Sequence, residues 1–276
     1  MQRNLVCVDV ETTGLSKQTD RIIQLSAVKF NKNFKIIDCW NHYIKPSGSF
    51  TINEHAKEVH GIDEKTLDSV GEKLKDLIPD FLKFIEGCDY VTFNGNNFDI
   101  AMLYADFERE GFEFPIEGRK FYDVMSMERK LRPGNLGAVF QRYTGQTMEE
   151  AGLDAHNSAS DVLATMTVMR HQFETHNLDW EEVGEWQENQ MISPEGSIRN
   201  AGDSETGDLL VFAVGKYRDS DIFDIMQRDP DYCRWWSTNV ATTYTRNKVR
   251  DYVQKRLVET KKEQKKKGSS KQKSKK

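Results

Sequence analysis

The sequence predicts an α/β protein built on a mixed five-stranded sheet flanked by helices, with a small C-terminal module and a basic tail. Three observations carry this. β-rich runs come first, at Leu5 to Val10, Ile22 to Phe30 and Ile36 to Ile44. After them short apolar runs alternate with amphipathic helical stretches, the order expected of a mixed sheet covered by helices. Beyond residue 207 a second apolar and aromatic cluster follows a stretch without periodicity. At 276 residues the chain is long enough for one ordinary α/β domain and a smaller module.

Leu5 to Val10 reads as a buried strand that Thr12-Thr13-Gly14 ends. The next two runs are joined by Asn31-Lys32-Asn33, a natural hairpin, so three strands form a meander. Asp63 can cap a helix start, and Leu74, Leu77, Ile78, Phe81, Leu82 and Ile85 recur at helical spacing until Gly87. Tyr90 to Phe93 is a short strand, and a helix from Asp99 buries Ile100, Leu103, Tyr104 and Phe107. A fifth strand is expected near Phe121 to Val124, a helix near Leu136 to Tyr143, and a last one striped by Val162, Met166, Met169 and Phe173. The expected division is a domain over 1–176, a linker over 177–207 rich in Glu, Asn, Ser and Gly, a module over 208–260, and a disordered lysine-rich tail over 261–276.

Composition narrows the function. No run approaches a membrane span, and Leu5 to Val8 is too short for a signal-peptide core, so a cytoplasmic protein is expected. The four cysteines form no CxxC pair, and neither a disulfide framework nor a zinc site is implied. Net charge is −5, but residues 261–276 carry nine lysines against one glutamate, leaving −13 on residues 1–260. A body this acidic repels polyanions, so a nucleic-acid substrate requires bound metal ions and the tail to offset the repulsion.

Five ionisable residues stand out: Asp9 and Glu11, Asp99, and His156 with Asp161. Residues two apart on a strand share a face, so Asp9 and Glu11 can approach one ion. Alone, such a pair is weak evidence. Asp99 opens a helix and could equally be a first-turn acid, and Ser158-Ala159-Ser160-Asp161 has capping-box spacing. Four carboxylates folded together would need divalent cations, and hard oxygen ligands suit Mg²⁺ or Mn²⁺.

These segments resemble the DEDDh family of 3′→5′ exonucleases, which has a ribonuclease-H-like fold and is typified by the epsilon proofreading subunit of bacterial DNA polymerase III. Asp9-Val10-Glu11-Thr12-Thr13-Gly14-Leu15 matches the first motif, Phe98-Asp99 with Leu103 the second, and His156 with Asp161 the third, across roughly residues 1–175. Glu58 to Ile62 and Asp123 add lesser matches, and Asn94 stands where the epsilon subunit has histidine. Leu209 to Trp236 resembles, less specifically, a module found after the nuclease domain in exonuclease X-like proteins.

The resemblance implies two Mg²⁺ or Mn²⁺ ions held by Asp9, Glu11, Asp99 and Asp161, with His156 as general base and nucleoside 5′-monophosphates as products. It also implies that Thr12, Thr13, Gly14, Leu15, His60, Asn94 and Phe98 line the substrate, with Leu15 against a base or, alternatively, in the core. Single-stranded or frayed DNA 3′ ends are the expected partner, in a proofreading or repair role. Exoribonuclease activity is the same-fold alternative, and an inactive nucleic-acid-binding adaptor a third reading. A polymerase subunit or sliding clamp is a further expected partner, the latter from Gln187 to Ile192, which lacks an aromatic anchor.

Overall fold

The computed structural model describes residues 3–95, 98–129, 134–188, 193, 196–202 and 208–273, without the side chains of 128, 129, 186, 188 and 261–273. The chain forms two compact units, Met1–Glu188 and Asn189–Lys276.

In the first unit β1 (Leu5–Thr12) lies at the centre of a five-stranded sheet with β2 (Ile22–Phe30) and β3 (Ile36–Tyr43) on one side. β2 runs antiparallel to β1, and β3 antiparallel to β2. Asn31 Oδ1 accepts from the amides of Asn33 and Lys35, an Asx turn that closes the β2–β3 hairpin. The short helices α1 (Glu54–His60) and α2 (Glu64–Val70) precede α3 (Leu74–Phe84), which leads into β4 (Asp89–Thr92). β4 pairs parallel with β1. Then come α4 (Asp99–Arg109), the parallel edge strand β5 (Phe121–Asp123), α5 (Val124–Arg129), α6 (Leu136–Thr144), α7 (Ser158–His176) and α8 (Trp180–Glu188). The mixed five-stranded sheet is the predicted one, in order β3-β2-β1-β4-β5.

Alternation along β1 positions the site. Leu5 and Cys7 are fully buried in one core cluster with Val162, Met166 and Met169 of α7. The same face of β1 therefore continues through Asp9 and Glu11, toward the first turn of α7.

The structure corrects three sequence expectations. Asp63 does cap a helix, but the run to Gly87 is two helices: after Gly71 the chain pairs with the end of β3, Glu72 N–H to Tyr43 O and Lys45 N–H to Glu72 O. The linker expected from 177 begins instead with α8, because the Trp180 and Phe173 rings pack at a tilt with centroids 4.0 Å apart and Val183 is buried. Those contacts follow from aromatic spacing too sparse to show as a period. Finally, the backbone of the tail expected to be disordered continues a helix to Lys273. Lys, Glu and Gln are all good helix formers, and a packed first half supplies the nucleus.

In the second unit β6 (Ile198–Asn200) and β7 (Leu210–Phe212) form an antiparallel pair, followed by α9 (Ile222–Arg228), α10 (Pro230–Asn239) and α11 (Thr243–Lys273). Phe212, Ile222, Ile225, Trp236, Val249 and Tyr252 form its core. Asp229 caps α10, with Pro230 at the first helical position, where a missing N–H costs nothing. Cys7, Cys88 and Cys233 are buried free thiols and Cys39 is exposed. Among the described residues no helix is long and apolar enough to cross a membrane.

Candidate active site

Asp9 and Glu11 from β1 and Asp161 from α7 each offer a carboxylate oxygen, and the three oxygens lie within 4.8 Å of one another. Asp99 stands beside them. The β1–β4 ladder ends at the pair Cys7 and Val91, and beyond it Asp99 Oδ1 accepts the Val10 amide at 3.1 Å, so the carboxylate takes over where the ladder stops.

Burial is what makes this cluster unusual. Asp9 is pushed well above the ordinary carboxylate range, first by desolvation and then by Asp99, Asp161 and Glu11. Glu11 is raised to about 8 by burial and by Asp161 and Asp99. Asp99 is raised to about 7 by burial, against the pull of its hydrogen bond from Val10. Asp161 is raised to about 6 by burial, against the opposing influence of His156. Acids that gain protons on burial, in mutual contact, are a donor set suited to a divalent cation, which supplies the missing positive charge.

The same shifts give a stability prediction for the chelated protein. The folded state holds protons that the unfolded chain releases, so stability is fully present near the unfolded carboxylate pKa of about 4 and falls as pH rises toward about 8. Thermal unfolding in chelator is expected at lower temperature at pH 8 than at pH 5.5, with Glu11→Gln flattening the slope. A pH-independent transition in both proteins would contradict the buried cluster.

His156 is exposed, with φ of 63°, in the loop just before α7. Its backbone donates to Asp161, and its ring lies within electrostatic reach of Asp161 and His60. The α7 cap differs from the capping-box expectation: Asn157, not Ser158, accepts from Ala159 and Ser160. Ser158 is buried in the first turn, and its Oγ meets Ser26 Oγ at 2.7 Å, tying α7 to β2. Asp161 therefore closes no capping box with Ser158, and its carboxylate accepts the His156 backbone N–H instead.

The expected substrate residues differ in exposure and in what they bond. Thr12 and Thr13 are buried, the Thr12 hydroxyl donating to Gly14 O and the Thr13 hydroxyl to Asp20. A Cβ at Gly14 would lie 2.7 Å from the Asp20 carboxylate, so a side chain here would displace the group that holds the Thr13 hydroxyl. Leu15 is 80% exposed, which removes the reading of it as a core residue. His60 Nδ1 accepts the Ile62 amide, so the ring carries its proton on Nε2, which faces Thr12 O at 3.3 Å. Asn94 is exposed with φ of 61°, its amide donating to Asp123, and Phe98 is half-buried at the start of α4.

Sequence reasoning missed two positioning residues. Gln187 of α8 is buried, donating to Asp123 O at 3.0 Å and accepting the Asp123 amide, so it closes the edge of β5 as a strand would. The expected clamp peptide, Gln187 to Ile192, thus has its first residue committed, and positions 189–192 lie outside the described residues. Gly95 is the second: a Cβ there would lie 2.5 Å from Asp99 Oδ2 and 2.6 Å from Thr92 Cβ. Gly95→Ala is expected to displace the Asp99 carboxylate and cut kcat by about 10²-fold, the usual effect of a misplacement near 1 Å. Unchanged kcat in a normally folded variant would show that Asp99 tolerates the shift.

Comparison with known proteins agrees with this geometry. The RNase_T exonuclease family model matches residues 6–169. The chain is similar to the PolC-type DNA polymerase III of Thermotoga petrophila, 37% identical over 141 residues that cover 50% of this chain and 10% of that one. It is also similar to that of Lactococcus lactis, 29% identical over 183 residues that cover 63% and 10% of the respective chains. It thus spans about a tenth of the length of these curated relatives. Among solved structures it resembles zinc-bound E. coli exonuclease I in complex with single-stranded DNA, with a TM-score of 0.55 at 19% identity over 67% of this chain and 42% of that one. Exonuclease I of Methylocaldum szegediense gives a TM-score of 0.53 at 19% identity, over 76% and 51%. At these identities the structural likeness is one of fold. With the family model covering more than half of its length, including all three acid-bearing segments, the chain belongs to the exonuclease family.

Proposed function

We propose that this chain is a 3′→5′ exonuclease that releases nucleoside 5′-monophosphates from the 3′ ends of single-stranded or frayed DNA, in a proofreading or repair setting. The observation that carries it is the carboxylate trio of Asp9, Glu11 and Asp161, with Asp99 beside it and His156 next to Asp161. The names of the relatives support the DNA substrate: PolC-type DNA polymerases in sequence, and an exonuclease I bound to single-stranded DNA in structure.

Asp9, Glu11, Asp99 and Asp161 would hold the divalent cations, two Mg²⁺ or Mn²⁺ in this proposal. When bound, such ions neutralise the phosphate and make water more acidic. The rest of the work falls to the chain. His156, exposed and beside Asp161, accepts the proton of the attacking water. The buried turn at Thr12 to Gly14 brings backbone close to the terminal nucleotide, and Leu15 offers an exposed apolar surface to its base. His60, oriented by its hydrogen bond from Ile62, directs its Nε2 proton to the Thr12 carbonyl and so braces that turn.

The test is digestion of 3′-end substrates labelled at the 5′ end, as single-stranded DNA, paired and mismatched duplexes, and RNA, with Mg²⁺ and with chelator. Stepwise shortening of single-stranded DNA is expected. It should exceed that of paired ends, because unpaired nucleotides avoid an unstacking cost of a few kcal/mol. Equal or higher kcat/KM on RNA would make the chain an exoribonuclease, and no hydrolysis of either would leave an inactive binding module.

A further inference from the structure

The second unit lies outside the family match and contains an open groove of about 460 Å³ among α9, α10 and α11. Ile222, Met226, Val249 and Val253 make its walls aliphatic. Trp236 also lines it, 4% exposed, and its indole Nε1–H has no hydrogen-bond partner among the described residues. A buried donor left this way is costly, and an incoming acceptor would recover that cost.

The polar side of the lining is entirely cationic or neutral. Arg234, Arg246 and Arg250 contribute guanidinium groups, and no acidic residue is present. Arg246 donates to the carbonyl oxygens of Ser237 and Ala241 and to the Thr243 hydroxyl, all uncharged. Arg234 and Arg250 meet Asp231 at 3.4 Å and Asp251 at 3.6 Å, but those carboxylates are 85% and 70% exposed. Pairs so open to water hold their arginines weakly.

From this combination we infer a docking site for a protein partner: an acidic peptide segment that inserts one bulky apolar side chain between α9 and α11 and sets its carboxylates on the arginines. Guanidinium groups match carboxylates in bidentate geometry, and a groove containing methionine adapts to an irregular apolar insert. A nucleobase fits less well, because stacking requires a free aromatic face, whereas these walls are aliphatic and Trp236 is buried.

The experiment is fluorescence anisotropy with the full chain and a short fluorescein-labelled peptide rich in Asp and Glu that carries a single Phe. Saturable binding is expected. It should weaken at least about tenfold, equivalent to about 1.4 kcal/mol, when the peptide Phe becomes Ala or when Arg250 becomes Glu. Arg234→Glu, on a different helix, gives a second charge reversal should the first variant fold poorly. Met226→Trp fills the groove and is expected to block binding, and all three variants should digest DNA at the parental rate. Absent saturation, or equal affinity in all variants and both peptides, would overturn the site. An oligo(dT) probe that binds more tightly than the peptide, and is lost in the same variants, would reassign the groove to nucleic acid.

Discussion

Asp9→Asn, Glu11→Gln, Asp99→Asn and Asp161→Asn are each expected to lower turnover by about 10³-fold or more while leaving the chelated protein as stable as the parent, or more so. The two effects have one cause. Stabilisation of transition-state charge by bound cations amounts to several kcal/mol, and about 4 kcal/mol corresponds to a factor of about 10³. Each carboxylate is also buried against the others, which is why Asp9, Glu11, Asp99 and Asp161 are all raised in pKa. Removing one charge relieves that repulsion when no metal is present. A cluster serving only the fold would show the opposite pattern, with lost stability and retained activity. Asp161 is the sharpest member, because its structural alternative was helix capping and Asn157 holds that place. Near-normal turnover of Asp161→Asn in Mg²⁺ would therefore refute the site, whereas loss of activity together with a higher unfolding temperature in chelator would support it. Metal titrations followed by the unfolding temperature read the ligand role without reference to hydrolysis.

What the sequence could and could not show follows from the range of each interaction. Asp9 and Glu11 were readable together because strand period is local, although β1 is apolar on both faces and does not itself say which face they share. Their meeting with Asp161 needed the packing of α7 on β1, which spacing alone does not encode. The resemblance to known exonucleases supplied that link. Local competition explains the capping error: Asn157 and Ser158 are both good cap residues, and the choice between them is made by Ser26, distant in sequence, which takes the Ser158 hydroxyl. Gly95 and Gln187 were invisible for the same reason, since their partners Asp99, Thr92 and Asp123 become neighbours only in the folded sheet. Leu15 shows the limit of polarity as a guide, an apolar residue left 80% exposed just after the buried turn at Thr12 to Gly14.

His156→Ala is expected to lower kcat by about 10²–10⁴-fold, the usual loss of general-base catalysis, with KM little changed. Its exposed position makes the loss repairable: added imidazole should restore part of the rate in the variant and none in Asp161→Asn. Stability should move independently of activity. With φ of 63° the residue sits in the left-handed region, where a side chain other than that of glycine is disfavoured. His156→Gly, which relieves that strain while adding some freedom to the unfolded chain, is expected to match the parent's stability to within about 1 kcal/mol and yet lose as much activity as the alanine variant. Strain retained at this exposed position is explained if the bend is what carries the imidazole beside Asp161. Stopped-flow or gel assays of both variants, with and without imidazole, decide this. Full activity in His156→Gly would mean that another group accepts the proton, and His60, within electrostatic reach of the same ring, would be the residue to substitute next.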